Sequence, residues 1–548
     1  RRGDGGVSGK AASMVIPMLT WIIVKVILTR IFVKSQATSR DRPTMKPHDF
    51  QHAAHRGGAP EQRIERHRIV VVGTGFSGLC MGVKLREQGE EDFVLLERAG
   101  DVGGTWRDNT YPGCACDVES HLYSFSFEPN PNWSRLYAPQ PEIFAYLKHV
   151  ATKYDLLRHV RFHANLVGAR YDEARKLWVV TAADGRVFEA EVLVSGMGGL
   201  SNPAIPSVPG MDTFQGKAFH SATWDHGFEL DDKRVAVIGS GASAIQFVPA
   251  IAPKVAQLTY FQRTPPWVVP KMDRPLRAKE QADFAANPWR QRLARTKLYW
   301  TLEARFLAFK FKPEWMKLVA KVGKHRIRKH IKDPALQAKL TPDYTPGCKR
   351  LLISNEYYPA LARTNVEVVT EGIREVVPQG VITQDGRLHE VDAIIFGTGF
   401  KVQDPIPKGT VFGRGGVDLA ELWKDGAEAH MGIAVAGFPN FFMLMGPNTG
   451  LGHNSMVFMI ESQAHYIVEA LKAMKEHGVK AIDVKPEVQQ RFVAGVQDEL
   501  KRTVWQSGCK SWYINEQGRN TAAWPGFTFA YRLKTRRFNI KQYRTDRA

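Results

Sequence analysis

Short apolar runs that end in glycine and are followed by a helical period set the pattern of this 548-residue chain. Residues 67–72 run into Gly73, a helix follows to about Arg86, and a second apolar run at 93–97 completes a strand–helix–strand unit. The same order recurs where an apolar strand ends at Gly239, a helix opens on small residues, and an apolar run closes at 258–262. Between them, residues 101–141 are rich in Gly, Trp, Pro and Tyr and hold no regular period; loops of that length are usually functional. Residues 192–195, 393–396 and 441–445 read as further buried strands, and a helix is expected from about Ser455.

The two glycine turns are Gly73-Thr74-Gly75-Phe76-Ser77-Gly78 and Gly239-Ser240-Gly241-Ala242-Ser243-Ala244. The first glycine of such a turn permits the bend, the second lets the backbone approach a pyrophosphate, and the third position must be small for helix and strand to pack. The spacing therefore predicts an α/β fold with two Rossmann-like dinucleotide units. Each turn is followed, 24 residues after its first glycine, by a charged residue of opposite sign, Glu97 and Arg263. A carboxylate accepts from a free ribose diol and repels a 2′-phosphate, whereas a guanidinium beside Thr264 binds one with forked, charge-assisted bonds. One FAD site and one NADPH site is the economical reading.

Composition narrows the class. A length of 548 residues implies two or three domains, and 44% hydrophobic content with 13 Trp suits a globular enzyme. The predicted layout is a leader at 1–64, an FAD domain opening at 65–205, an NADP domain at 206–375 with a helical insertion at 271–345, and a return to the FAD domain at 376–548. Five cysteines give no disulfide framework and no metal spacing, which points to a reducing cytoplasm.

The net charge of +20 is partly local, with 19 Lys plus Arg against 6 Asp plus Glu in residues 271–340. There Leu293, Leu298, Leu302, Phe306, Leu307, Trp315, Leu318 and Val319 predict amphipathic helices, either a solvated insertion or a face for a membrane or acidic partner. No nucleic-acid motif accompanies the charge. Residues 14–33 are apolar apart from Lys25 and Arg30, at the edge of what spans a bilayer. Both a membrane-attached helix and a dispensable leader before Met45 stay open.

Two longer motifs carry chemistry. Gly103-Gly104-Thr105-Trp106 continues through Tyr111-Pro112-Gly113 to Asp117, fitting [AG]GxWxxxx[FY]P[GM]xxxD. The segment 214–225, with Phe214, Gly216, His220, Trp224 and Asp225, fits FxGxxxHxxxW[PD]. At these residues, and from about 66 to 535, the chain resembles the type I Baeyer–Villiger monooxygenases, relatives of the flavin-containing monooxygenases.

The resemblance implies that NADPH reduces FAD, that the flavin takes up O2 as a C4a-peroxide, and that this inserts oxygen into a hydrophobic ketone to give an ester or lactone. It implies that Arg350, in Gly347-Cys348-Lys349-Arg350, stabilises the anionic states, that Asp117 orients it, and that Lys349 joins Arg263 and Thr264 at the 2′-phosphate. His220 is expected to couple domain movements, not to act as an acid or base. Gly104, Thr105, Trp106, Tyr123 and Asn448 are expected at FAD, and Trp512 at NADP.

A flavin disulfide reductase is excluded, since Thr105 and Trp106 stand where its redox cysteines belong. N- or S-oxygenation, and a non-oxygenating NADPH-flavin redox protein, remain as alternatives. Oligomeric state is not legible.

Overall fold

The computed structural model describes residues 64–311, 313–402 and 406–547. The expected membrane helix at 14–33 and the linker after it lie outside the described residues. Among the described residues no helix is long and apolar enough to cross a membrane, and no group of three His, Cys, Asp or Glu is placed to hold a metal.

Two sheets organise the chain. In the first, strand Ile64–Val72 pairs in parallel with Phe93–Leu96, Ile69 opposite Phe93 and Val72 opposite Leu96. Both runs are buried through this pairing, as expected of a strand covered on two faces. Helix Phe76–Glu87 crosses between them. On the other side of Ile64–Val72 lie Val187–Ser195 and the antiparallel strands Leu177–Ala182 and Leu166–Asp172. The chain rejoins this sheet late, through Val411–Phe412 on Leu166–Asp172 and Phe441–Met443 on Val187–Ser195.

The second sheet is parallel throughout, in the order Val366–Val369, Gln257–Phe261, Arg234–Ile238, Ala393–Phe396, Lys217–His220. This corrects one sequence expectation. Ala393–Phe396, expected to lead the chain back into the first unit, pairs with Arg234–Ile238 and Lys217–His220 instead. Four apolar residues state that a strand is buried but not which sheet buries it.

Glycine is required at the turns for two reasons. Gly73 and Gly239 have φ of +96° and +110°, in the left-handed half of backbone space. At Gly78 a Cβ would fall 1.8 Å from the Gly73 carbonyl oxygen, so that position admits no side chain. In the second unit the equivalent residue is Ala244, fully buried under the turn at Gly397.

The basic stretch forms helices Ala278–Ala286, Pro288–Lys310, Met316–His330 and Pro334–Leu340. Helix Pro288–Lys310 buries Phe306 and Phe309 against Leu451, Met459, Trp505 and Trp524 of the late chain. Leu293 and Leu318, expected on the apolar faces, are exposed.

The cysteine reading is also corrected. Cys348 and Cys509 form a disulfide across 161 residues, while Cys80, Cys114 and Cys116 are free and buried. Pairing over that separation leaves no spacing signal in the sequence.

Candidate active site

The first glycine turn is enclosed. Thr74, Phe76, Ser77 and Gly78 are buried, and a Cβ on Gly104 would lie 3.2 Å from the Gly75 Cα, so the two glycine loops form a narrow backbone cradle. Gly103 N–H donates to the Thr74 carbonyl at 2.9 Å, fixing one loop on the other. Glu97, at the end of its strand, is almost fully buried. Its Oε2 accepts from Thr74 N (3.1 Å) and Oγ1 (2.5 Å), and its Oε1 from Ala99 N (3.0 Å) and Arg107 Nη1 (2.8 Å). Arg107 carries no motif signal and was missed by the sequence reading.

Beside the cradle Phe76, Trp106 and Tyr123 form an aromatic group. Tyr123 stands edge-on to Phe76 at 5.1 Å and accepts from Trp106 Nε1 at 3.2 Å. Burial pushes the Tyr123 phenol well up, so it stays protonated. Thr105 opens the short helix Thr105–Asp108, and its carbonyl accepts from Asn109 Nδ2 at 2.9 Å.

The second turn is open by contrast, with Gly241 and Ala242 exposed and Ser243 half-buried. Ser240 Oγ donates to the Thr264 carbonyl at 2.9 Å, tying the turn to the next strand end. Exposed Arg263 and half-buried Lys349 approach there closely enough to repel. The Lys349 pKa is lowered, chiefly by burial and then by Arg263. Its ammonium sits 4.8 Å over the Tyr344 ring. Among the described residues no carboxylate forms a salt bridge with either cation.

Arg350 and Asp117, 233 residues apart, meet between the two units. Arg350 Nε and Nη2 both donate to Asp117 Oδ2, at 3.0 and 2.5 Å, and about a third of each side chain stays exposed (33% and 28%). The Asp117 charge holds the guanidinium even further into its cationic state. Tyr513 is fully buried beside them. Burial raises its phenol pKa and Arg350 opposes that rise. Sequence reasoning missed Tyr513, although Trp512 next to it was singled out; the two rings lie 4.0 Å apart, with Trp512 exposed.

Gln246, on helix Ala244–Ile251, joins the long loop to the second unit. Its Oε1 accepts from the Tyr111 hydroxyl at 3.1 Å and Ala115 N at 3.4 Å, and its Nε2 donates to the Ala115 carbonyl at 3.0 Å. A Cβ on Gly113 would lie 2.7 Å from the Gln246 carbonyl oxygen, so the YPG turn needs its glycine for close approach. This explains the loop's length: it spans from one glycine turn to the helix of the other.

His220 does not join Arg350. It closes strand Lys217–His220, almost fully buried, with Nδ1 accepting from Ala222 N at 3.1 Å. Burial lowers its pKa, partly offset by the Gly399 backbone, so it is neutral with its proton on Nε2. Its ring meets Phe400 edge-on at 5.7 Å, beside the crossing where Ala204 N donates to the Gly399 carbonyl at 2.9 Å. Trp224 packs on Phe219 and Phe247.

Asn448 spends its amide on the late chain, donating to the carbonyls of Asn520 (2.8 Å) and Ala523 (3.2 Å). Just beyond, Ser455 caps helix Met456–Glu476 through Oγ to Val457 N at 3.3 Å. Glu303 of the insertion, buried and unforeseen, accepts from Asn454 Nδ2 (2.6 Å) and from Thr528 Oγ1 (2.7 Å) and N (3.0 Å), with His453 Nε2 at 3.4 Å. Burial alone would raise its pKa, but these partners outweigh burial and the net shift is downward.

The chain and its fold have counterparts among known proteins. Residues 66–414 match the family model for flavin-binding monooxygenase-like proteins. The chain is 53% identical to a Baeyer–Villiger monooxygenase of Pseudomonas aeruginosa over 487 residues, 88% of this chain and 92% of that protein. It is 49% identical to one from Streptomyces coelicolor, over 89% and 94%. Among solved structures, closed cyclohexanone monooxygenase aligns with a TM-score of 0.81 at 30% identity, covering 89% of this chain and all of that one. Oxidized steroid monooxygenase bound to NADP aligns with 0.79 at 32%, over 88% and 100%.

Proposed function

For a chain that belongs to the flavin-binding monooxygenase-like family, and is a flavin-dependent Baeyer–Villiger monooxygenase using NADPH and O2, we propose how its own residues divide the work. FAD, once reduced by NADPH, supplies the activation of O2 that lets one oxygen atom enter beside a ketone carbonyl.

The residues present fit both cofactors. The cradle between Gly73–Gly78 and Gly103–Gly104 is too narrow for side chains, as a backbone approach to a pyrophosphate requires. Glu97, shared with Arg107, takes the ribose of FAD, while Phe76, Trp106 and Tyr123 wall the flavin side. Asn448 holds the turn before helix Met456–Glu476, whose N-terminus favours negative charge. At the open turn, Gly239, Gly241, Ala242, Ser243 and Ala244 take the NADPH pyrophosphate. Arg263, Thr264 and Lys349 take its 2′-phosphate, which relieves the repulsion between the two cations. Trp512 borders the nicotinamide half, and His220 couples the second sheet to the crossing at Gly399.

The observation that carries the reading is Arg350 on Asp117 Oδ2. Two of the five guanidinium N–H groups are spent on Asp117, and the rest stabilise the oxyanion that develops when the ketone carbonyl is attacked. Buried Tyr513 and Cys116 exclude water on the inner side. The substrate we propose is a hydrophobic ketone. The test supplies linear, aromatic and steroidal ketones with NADPH and air, and follows esters by mass spectrometry. Arg350→Ala should still let NADPH bleach the flavin anaerobically while ester is lost; retained ester overturns the role of Arg350.

A further inference from the structure

We propose that Cys348 and Cys509 are a thiol–disulfide modification site whose oxidised state positions Arg350 and the Trp512–Tyr513 rim; the positioning half rests on the role of Arg350 given above. The placement is specific. Cys348 is fully buried two residues before Arg350, and Cys509 is half-buried three residues before Trp512 and four before Tyr513. The bond therefore joins the turn that carries the active-site cation to the segment that covers it.

The surroundings show why one bond matters here. Most of residues 506–512 are exposed. Their backbone bonds are local: Gln506 N to Thr503, Ser507 N to Val504, and Ile514 N to Ser511 across the far end. Such a segment holds its own shape but is weakly fixed on the body beneath. On either side Trp505 and Tyr513 are buried, and Val504 touches the turn where a Cβ on Gly347 would lie 3.2 Å from it. The sulfur bridge fastens the exposed span between these anchors to the residue just before Lys349 and Arg350.

The remaining cysteines stand outside this chemistry. Burial pushes the Cys114 thiol up to about 11 and raises those of Cys80 and Cys116 as well, so all three stay protonated and shielded. Cys509 is the sulfur open to an incoming thiolate. A small dithiol attacks Cys509 Sγ and expels Cys348 as a thiolate, which takes up a proton. The dithiol's second sulfur then closes its own disulfide and releases Cys509 as a thiol, two electrons having passed to the protein. In the opposite direction hydrogen peroxide, released whenever O2 reduction is not coupled to oxygen insertion, is the two-electron oxidant. One cysteine thiolate attacks it, giving a sulfenic acid and water, and the second displaces water to close the S–S bond. Peroxide leaking from a loose site would thus tighten that site.

Trypsin places the two cysteines in separate peptides, 340–349 and 503–510, so the linkage is read directly by mass spectrometry without reductant. The holoenzyme is treated with dithiothreitol or with hydrogen peroxide, free thiols are alkylated, and each sample is assayed. We expect the linked pair after peroxide and its loss after dithiothreitol. In the reduced enzyme we expect a KM for NADPH about tenfold higher and more hydrogen peroxide per NADPH, with anaerobic flavin reduction intact at saturating NADPH. Cys509→Ser should show the reduced values in both treatments. Two alkylated thiols after peroxide overturn the site. A linked pair whose reduction leaves KM and coupling unchanged overturns the positioning. Ester retained in Arg350→Ala would instead sink the reading of Arg350 and leave the linkage standing.

Discussion

Arg263 and Lys349 present two positive charges that repel each other, and each is testable alone. If Arg263 takes the 2′-phosphate as proposed, replacing it with Ala removes charge-assisted bonds worth about 1.5–3 kcal/mol each. We expect the KM for NADPH to rise by one to two orders of magnitude while that for NADH hardly moves. An equal change for both cofactors contradicts the assignment. Lys349 adds a pH signature. Its pKa is lowered, so in the free enzyme it loses its charge at lower pH than an ordinary lysine. A dianion binds the charged form, so the KM for NADPH should climb as pH rises through that lowered value. Lys349→Arg, charged throughout, should flatten the climb; a slope unchanged by the substitution would place the dianion elsewhere.

At the scale of elements, a buried carboxylate is among the anchors of the insertion. Glu303 on helix Pro288–Lys310 takes hydrogen bonds from the loop before helix Met456–Glu476 and from the start of helix Thr528–Thr535. Glu303→Ala strands buried donors at Asn454 and Thr528, each costing about 1–3 kcal/mol. We expect lower stability to urea and faster proteolysis within 278–340, with Glu303→Gln intermediate. Proteolysis unchanged in the alanine variant would show that packing of Phe306 and Phe309, with the hydrogen bonds of Gln291, Arg295 and Lys310, holds the insertion without Glu303.

The same scale shows what was legible in the chain. Both strand–turn–helix units were, because glycine and apolar runs act locally. Arg350 and Asp117 were reached through motifs, not through charge, since each is otherwise one ionisable residue among many. Glu303, Gln246 and the Cys348–Cys509 pair were not, because their partners lie more than a hundred residues away and nothing in spacing marks them. The placement of Ala393–Phe396 failed for the same reason: parallel pairing is non-local.

For the whole molecule, the long loop, Gln246 and the Arg350–Asp117 pair all cross from the first sheet's unit to the second's, so the proposed catalytic pair lies on the seam that joins them. Stability has its own pH signature away from that seam. His430 is almost fully buried, and burial lowers its pKa to about 4, only partly opposed by Gln542. The unfolded chain takes up this proton near 6.5 and the folded one only near 4. Stability is therefore intact above about 6.5, falls as pH drops between the two values, and loses at most about 3 kcal/mol by the lower one. His430→Gln should shallow the fall in Tm over that window, and an unchanged slope would assign it to other groups.

The most direct test is the ratio of ester formed to NADPH consumed in wild type, Arg350→Ala, Asp117→Ala and the double variant. If Asp117 acts by holding Arg350, each single variant should divert NADPH to hydrogen peroxide and the double should be no worse than Arg350→Ala. Ester yield that survives in Arg350→Ala, or losses that simply multiply in the double, would contradict the shared role of this pair in oxygen insertion.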